Sequence, residues 1–199
     1  MRSSGGDSRP LVVVIAGPNG AGKSSTAPRL LRDALEVEEF VNADTIAAGL
    51  SALHPESAAL DAARIMLLRI RRLAESRRSF AFETTLASRS FEPLLRRLRA
   101  AGYHTHLTFL ALPSADMAVA RVAARVQLGG HDVPEADVRR RFVRGLRNLR
   151  DRYRASVDTW EVHDNSDLQA LRLVARGRGT RDIEVADPAL WNLLMEDRQ

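Results

Sequence analysis

Residues 11–16, Leu-Val-Val-Val-Ile-Ala, run without a polar position, the pattern of a strand covered on both faces. A glycine-rich break follows, and from Ser24 to Leu35 the apolar spacing turns helical. Phe40-Val41-Asn42 reads as a short second strand. Pro55 then opens a long helix with Ala59, Ala63, Met66, Ile70 and Leu73 on one face. Residues 79–83 alternate as a third strand and lead into a helix through Leu94, Leu95 and Leu98 that stops at Gly102. A fourth strand over 107–112 is broken by Pro113-Ser114. Residues 115–128 read helical, a loop over 129–134 follows, and the next helix carries Val138, Phe142, Leu146, Leu149 and Tyr153 inward. Residues 160–163 form a fifth strand, and a last helix starts at Pro188. Alternating strand and helix predicts a three-layer α/β/α domain with a mostly parallel five-stranded sheet.

A chain of 199 residues with 45% hydrophobic and 28% charged residues can bury one sizeable core. We therefore expect a disordered polar tail over 1–10 and a single domain over 11–199, with lid helices at about 115–155. The chain lacks cysteine, so neither disulfides nor thiolate metal sites hold it, and a cytoplasmic location is expected. The apolar run at 11–16 is too short for a signal-peptide core or a membrane span, so no membrane association is expected. The net charge of +5 invites a nucleic-acid reading. Zinc-finger spacing, RNP aromatics and RGG tracts are all missing, and aromatics are only 5%, which argues against that partner.

The break after the first strand reads Gly17-Pro18-Asn19-Gly20-Ala21-Gly22-Lys23-Ser24. Gly, four free positions and Gly-Lys-Ser is the phosphate-binding loop, in which each position has its own task. Backbone N–H groups form an anion nest at a helix N-terminus, Lys23 reaches the β/γ-phosphates and the Ser24 hydroxyl ligates Mg2+. Ser25 or Thr26 reaches the α-phosphate. The expected ligand is ATP, with GTP also open, together with magnesium. Lys23 is the sole lysine of the chain while 29 basic residues are arginine, so the one site needing a compact ammonium keeps it.

In open parallel sheets ligands sit beyond the carboxyl ends of the strands. Asp44, after the second strand, could accept the proton of an attacking hydroxyl, hold magnesium through water, or cap the next helix. Glu83-Thr84-Thr85 ends the third strand, where an acid and two hydroxyls could hold a polyhydroxylated acceptor; a helix cap at either Thr84 or Thr85 and an arginine pair for Glu83 are the structural alternatives. Arg121 and Arg125 stand one turn apart, and Arg139, Arg140, Arg141 and Arg144 follow the glycine loop, as a closing lid that stabilises phosphoryl transfer would require. Only Arg125 and one or two of Arg139 to Arg141 are assigned to catalysis. Arg147, Arg150, Arg152 and Arg154 read as a solvated face, and His131 as a hinge or surface residue.

The P-loop, Asn42-Ala43-Asp44, Phe82-Glu83-Thr84-Thr85, the loop Gly129 to Pro134 before Arg139-Arg140-Arg141-Phe142, and Asp164-Asn165-Ser166 together resemble the zeta-toxin-like kinases over about residues 11–195. The Gly-Gly-His loop is that of the shorter branch of the family. The resemblance implies a P-loop kinase, in several members the toxin of a toxin–antitoxin pair, that phosphorylates the 3′-hydroxyl of UDP-N-acetylglucosamine. It further implies that Lys23 binds phosphates, that Asp44 is the base and that Glu83 and Thr85 hold the acceptor beside Asn42. Arg125 with Arg140 or Arg141 would stabilise the transferring group, and Ser24 and Asp44 would serve the metal. A nucleoside, antibiotic or nucleic-acid end is the alternative acceptor. The P-loop also resembles that of transporter-type ATPases, but no strand ends in Asp-Glu and Leu128-Gly-Gly-His is a poor copy of their signature.

Overall fold

The computed structural model describes residues 9–35, 37–130, 132–167 and 170–196. Most of the expected tail and the expected hinge at His131 lie outside the described residues. Strand β1 (Leu11–Ala16) leads through the P-loop into α1 (Lys23–Arg29). Pro28 removes an amide donor inside this helix, whose last turn widens into π geometry over Leu30–Ala34. After β2 (Phe40–Val41) comes α2 (Ala43–Leu50), then a 3-10 turn at Pro55–Ala58 and the long α3 (Ala59–Glu75). Strand β3 (Phe80–Thr84) precedes α4 (Phe91–Ala100), and β4 (His104–Ala111) precedes the pair α5 (Ala115–Gln127) and α6 (Glu135–Asn148). A π turn over Leu149–Tyr153 and the short α7 (Arg154–Ser156) reach β5 (Thr159–Asp164).

The five anticipated strands are present and mutually parallel where they pair. The sheet does not stop at five. Strands β6 (Arg172–Arg178) and β7 (Arg181–Val185) add an antiparallel hairpin beyond β5, giving the order β2-β3-β1-β4-β5-β6-β7, and α8 (Pro188–Met195) closes the fold. Their sequence hides them because arginines occupy the outward positions of β6 and all but one residue of β7 is exposed. A charged edge resists pairing with another chain, which is how native sheets protect their margins.

Side chains alternate across the sheet. Val12 and Val14 join Phe80, Phe82, Leu107, Phe109, Trp160 and Val162 in the larger core, whereas Val13, Ile15 and Ala81 pack in a smaller one under Ala27 and Leu31 of the α1 segment. On α3 the buried stripe is Ala62, Met66, Ile70 and Leu73, one residue out of phase with the expected Ala59 and Ala63 at its start. The inward residues expected of α6 and its continuation, Val138, Phe142, Leu146, Leu149 and Tyr153, are all buried. Among the described residues no helix is long and apolar enough to cross a membrane.

Candidate active site at the carboxyl ends of the first three strands

The P-loop leaves β1 through three left-handed glycines, Gly17, Gly20 and Gly22, with φ of 142°, 77° and 74°. At Gly17 a side chain would run into the Leu110 carbonyl, so the loop can turn over β4 only because this position has no Cβ. Ala21 N–H donates to the Pro18 carbonyl at 3.2 Å, and the Ala21 carbonyl accepts from Asn165 Nδ2 at 2.6 Å at the end of β5. Arg121, on α5, donates in turn to the carbonyls of Asn165 and Ser166. The loop is thus held from below by a strand end 144 residues away in sequence.

Lys23 opens α1 and is buried, its Nζ donating to the Pro18 carbonyl at 2.9 Å and standing 3.7 Å from Glu83 Oε1. Burial pulls its pKa below the ordinary lysine value, and the charges of Glu83 and then Asp44 oppose that pull. A buried ammonium facing two carboxylates is a cation held ready for a polyanion. Asn19 beside it is also buried, with Oδ1 lacking a hydrogen-bond partner. An ammonium poised at a helix N-terminus behind three left-handed glycines is the cradle a nucleotide polyphosphate needs.

The strand-end acids divide their work differently from the simplest expectation. Asn42, not Asp44, caps α2: its Oδ1 accepts from the amides of Asp44 and Thr45 at 2.8 and 3.2 Å. Asp44 in the first turn is thereby left with its carboxylate at the cavity wall. Register places Glu83 beside Ile15 on the strand next to the P-loop strand. Its Oε2 accepts from Ser24 Oγ at 2.9 Å and from Asn42 Nδ2 at 2.7 Å. Expected on the acceptor alone, Glu83 is first a neighbour of the P-loop hydroxyl, where a carboxylate and a hydroxyl suit a magnesium ion that keeps several waters and phosphate ligands. Neither Thr84 nor Thr85 caps α4. Their hydroxyls accept from the amides of Leu86 and Ala87 and shape the turn leaving β3.

Two cavities open here. One, of about 390 Å³, is lined by Gly20, Gly22, Ser24, Ser25, Arg121 and Arg125. The other, of about 360 Å³, lies between α3, α4 and α6 and is lined by Asn42, Thr85, Ser88, Met66, Phe91 and Arg141 among others. Both are bounded by Asn19, Lys23, Asp44 and Glu83. Of the lid arginines, Arg125 therefore borders the P-loop cavity and Arg141 the second. Arg140 borders neither and is paired with Asp137 at 2.8 Å, while Arg139 pairs with Asp116 and Glu135. The phase of α6 explains this: Arg140 is midway between the buried Val138 and Phe142 and so lies on the opposite face, a signal already present in the spacing. Sequence reasoning did not assign Arg121, although its one-turn spacing from Arg125 marked it, nor the apolar wall of Met66, Leu67 and Phe91.

The zeta-toxin family model matches residues 2–184. The chain belongs to the zeta-toxin family. A relative in Haemophilus influenzae, an uncharacterised protein, is 28% identical over 130 residues, which is 65% of this zeta-toxin family chain and 91% of the relative. Among solved structures, the AvrRxo1-ORF1:AvrRxo1-ORF2 complex with sulphate ions superposes with a TM-score of 0.71 at 15% identity, covering 96% of this chain. The chain spans 65% of the length of that protein, whose complex has also been solved with ATP. The PezAT chromosomal toxin–antitoxin system of Streptococcus pneumoniae gives 0.65 at 13% identity, with 97% of this chain and 81% of that one covered. At such identities the likeness is one of fold, and the fold is that of a three-layer P-loop kinase.

Proposed function

We propose that this zeta-toxin family member is an ATP- and magnesium-dependent kinase that transfers the γ-phosphoryl group to a hydroxyl of a small molecule. A sugar nucleotide, UDP-N-acetylglucosamine first, is the acceptor. The observation that carries the reading is the shared wall: the two cavities have Asn19, Lys23, Asp44 and Glu83 in common. In-line transfer needs donor and acceptor to approach one point from opposite sides, with charge stabilisation and a base at that point.

Lys23 and the P-loop amides bind the phosphates and orient the terminal one toward the wall. Ser24 and Glu83 would hold magnesium, with Asp44 within reach through water. Magnesium held there would supply positive charge against the negative charge that develops on the transferring group. Asp44, whose backbone is fixed by the Asn42 cap, accepts the proton of the acceptor hydroxyl. Thr85 and Asn42 orient that hydroxyl. Arg125 from one side and Arg141 from the other supply positive charge and exclude water. A protein antitoxin is the partner this reading expects, and a nucleoside the alternative acceptor, which the apolar wall at Met66, Leu67 and Phe91 would also accommodate.

The test is incubation with magnesium-ATP and either UDP-N-acetylglucosamine or a bacterial metabolite extract, with mass spectrometry of wild type against Asp44→Ala. A phosphorylated acceptor formed by wild type alone is expected. ADP formed equally by both, with no phosphorylated metabolite, overturns the kinase reading.

A further inference from the structure

The turn between β3 and α4 forms one side of the second cavity through Thr84, Thr85, Ser88 and Ser90. At its centre Leu86 is fully buried with φ of 55°, a conformation that a leucine keeps only where its surroundings impose it. Besides the turn's own bonds to the Thr84 and Thr85 hydroxyls, the contacts that hold it come from α6 and the π turn after it. Gly145 of α6 lies so close that a Cβ there would stand 2.6 Å from the Thr85 carbonyl. Asn148 Nδ2 donates to the Leu86 carbonyl at 2.7 Å in a buried bond, and the Tyr153 hydroxyl donates to the Ser88 carbonyl at 2.7 Å. Residues 145 and 148 share a face by ordinary helical spacing. An uninterrupted α-helix would continue that face with Arg152, but the π turn over Leu149–Tyr153 adds one residue and brings Tyr153 onto the turn instead.

We propose that the C-terminal half of α6 and its π turn are a fixed clamp on this turn, and that Asn148 and Tyr153 are positioning residues for the acceptor. The proposal rests on the kinase reading above and revises the idea of α5 and α6 as one free lid. The clamp places Thr85 and Ser88 against the acceptor, and it holds Arg141, one helical turn before Gly145, over the same cavity. The P-loop is held separately, through Asn165 and Arg121. Loosening the clamp should therefore weaken acceptor handling and leave nucleotide binding alone.

Two variants test this. Tyr153→Phe removes one hydrogen bond without leaving a void, and Asn148→Ala leaves the buried Leu86 carbonyl unpaired. With UDP-N-acetylglucosamine as acceptor, KM for the acceptor should rise about threefold in the first and about tenfold in the second, with ATP affinity within about twofold of wild type. Val174→Ala, a core change on β6, serves as a control for simple loss of stability and should leave that KM unchanged. Hydrogen exchange provides a readout independent of catalysis: in Asn148→Ala the segment 84–90 should exchange at least about tenfold faster while 17–25 does not. Unchanged exchange at 84–90, an equal rise at 17–25, or an unchanged acceptor KM in both folded variants overturns the clamp. Absence of transfer by wild type counts instead against the acceptor assignment, and the exchange data then decide the clamp alone.

Discussion

Replacing Glu83 by Gln should destabilise the free protein and spare the nucleotide-bound one. With its amide oxygen kept toward Ser24 Oγ and Asn42 Nδ2, the variant replaces the charged oxygen facing Lys23 by a neutral amide NH2. Both partners are buried, with 7% and 9% of the side chains exposed. Removing one partner of a buried pair typically costs about 3–5 kcal/mol. A ceiling comes from the lysine itself, which can shed its proton: between the ordinary value of 10.5 and pH 7 that costs about 5 kcal/mol. Asp44 still opposes the burial effect, so the lower end, about 3 kcal/mol, is expected. For a chain of this size that is a fall in Tm of about 6–12 °C. Because the variant's Lys23 has a folded pKa further below its unfolded one, the unfolded state binds the extra proton. The deficit should accordingly shrink as pH rises from 7 toward 10. Inorganic triphosphate, supplying the missing negative charge, should raise Tm more in the variant than in wild type. The assay is thermal unfolding with and without triphosphate at pH 7 and 9.5. Equal melting temperatures at pH 7, or equal ligand-induced gains, would refute the reasoning.

Asp44→Asn should leave nucleotide affinity within a few fold and lower transfer by about 10²–10⁴, read as acceptor-dependent ADP release; unchanged transfer would remove Asp44 as the base. Arg141→Ala should reduce kcat/KM for the acceptor by about tenfold or more whereas Arg140→Ala should be silent, since only the former borders the cavity. The reverse order would show that α6 rotates during catalysis. Burial pushes His106 down to about 4, with the neighbouring charge of Glu161 opposing and those of His104 and His163 assisting. Its folded pKa being below the unfolded 6.5, wild type should lose up to about 3 kcal/mol of stability as pH falls from 6.5 to 4. His106→Asn should flatten that limb in denaturant titrations, and an unaltered limb would reject the assignment.

The donor half of the site is legible in the sequence because its tasks are local. Glycines that must turn, a lysine that must reach and a hydroxyl that must ligate fall within eight consecutive residues, and the β-branched strand before them and helix after them are equally local patterns. Asp44 and Glu83 were legible as strand-end acids, but the cap of α2 fell to the neighbouring Asn42, and that Glu83 touches Ser24 depended on a contact across 59 residues. The hairpin β6–β7 escaped because its arginines satisfy an edge rather than a core, and the π turn has no sequence signature of its own. The turn that walls the second cavity is held by such distant ties: Asn148 to Leu86 over 62 residues and Tyr153 to Ser88 over 65. Those ties set where Thr85 and Arg141 stand. A phosphate-binding loop can therefore be read from a motif, while on the proposed reading the choice of acceptor would be written in helix phase and in backbone carbonyls, which motifs do not record. On the proposed kinase reading, chemistry and substrate choice should for that reason be separable in this chain, and variants that move the clamp without touching the P-loop test which residues select the hydroxyl.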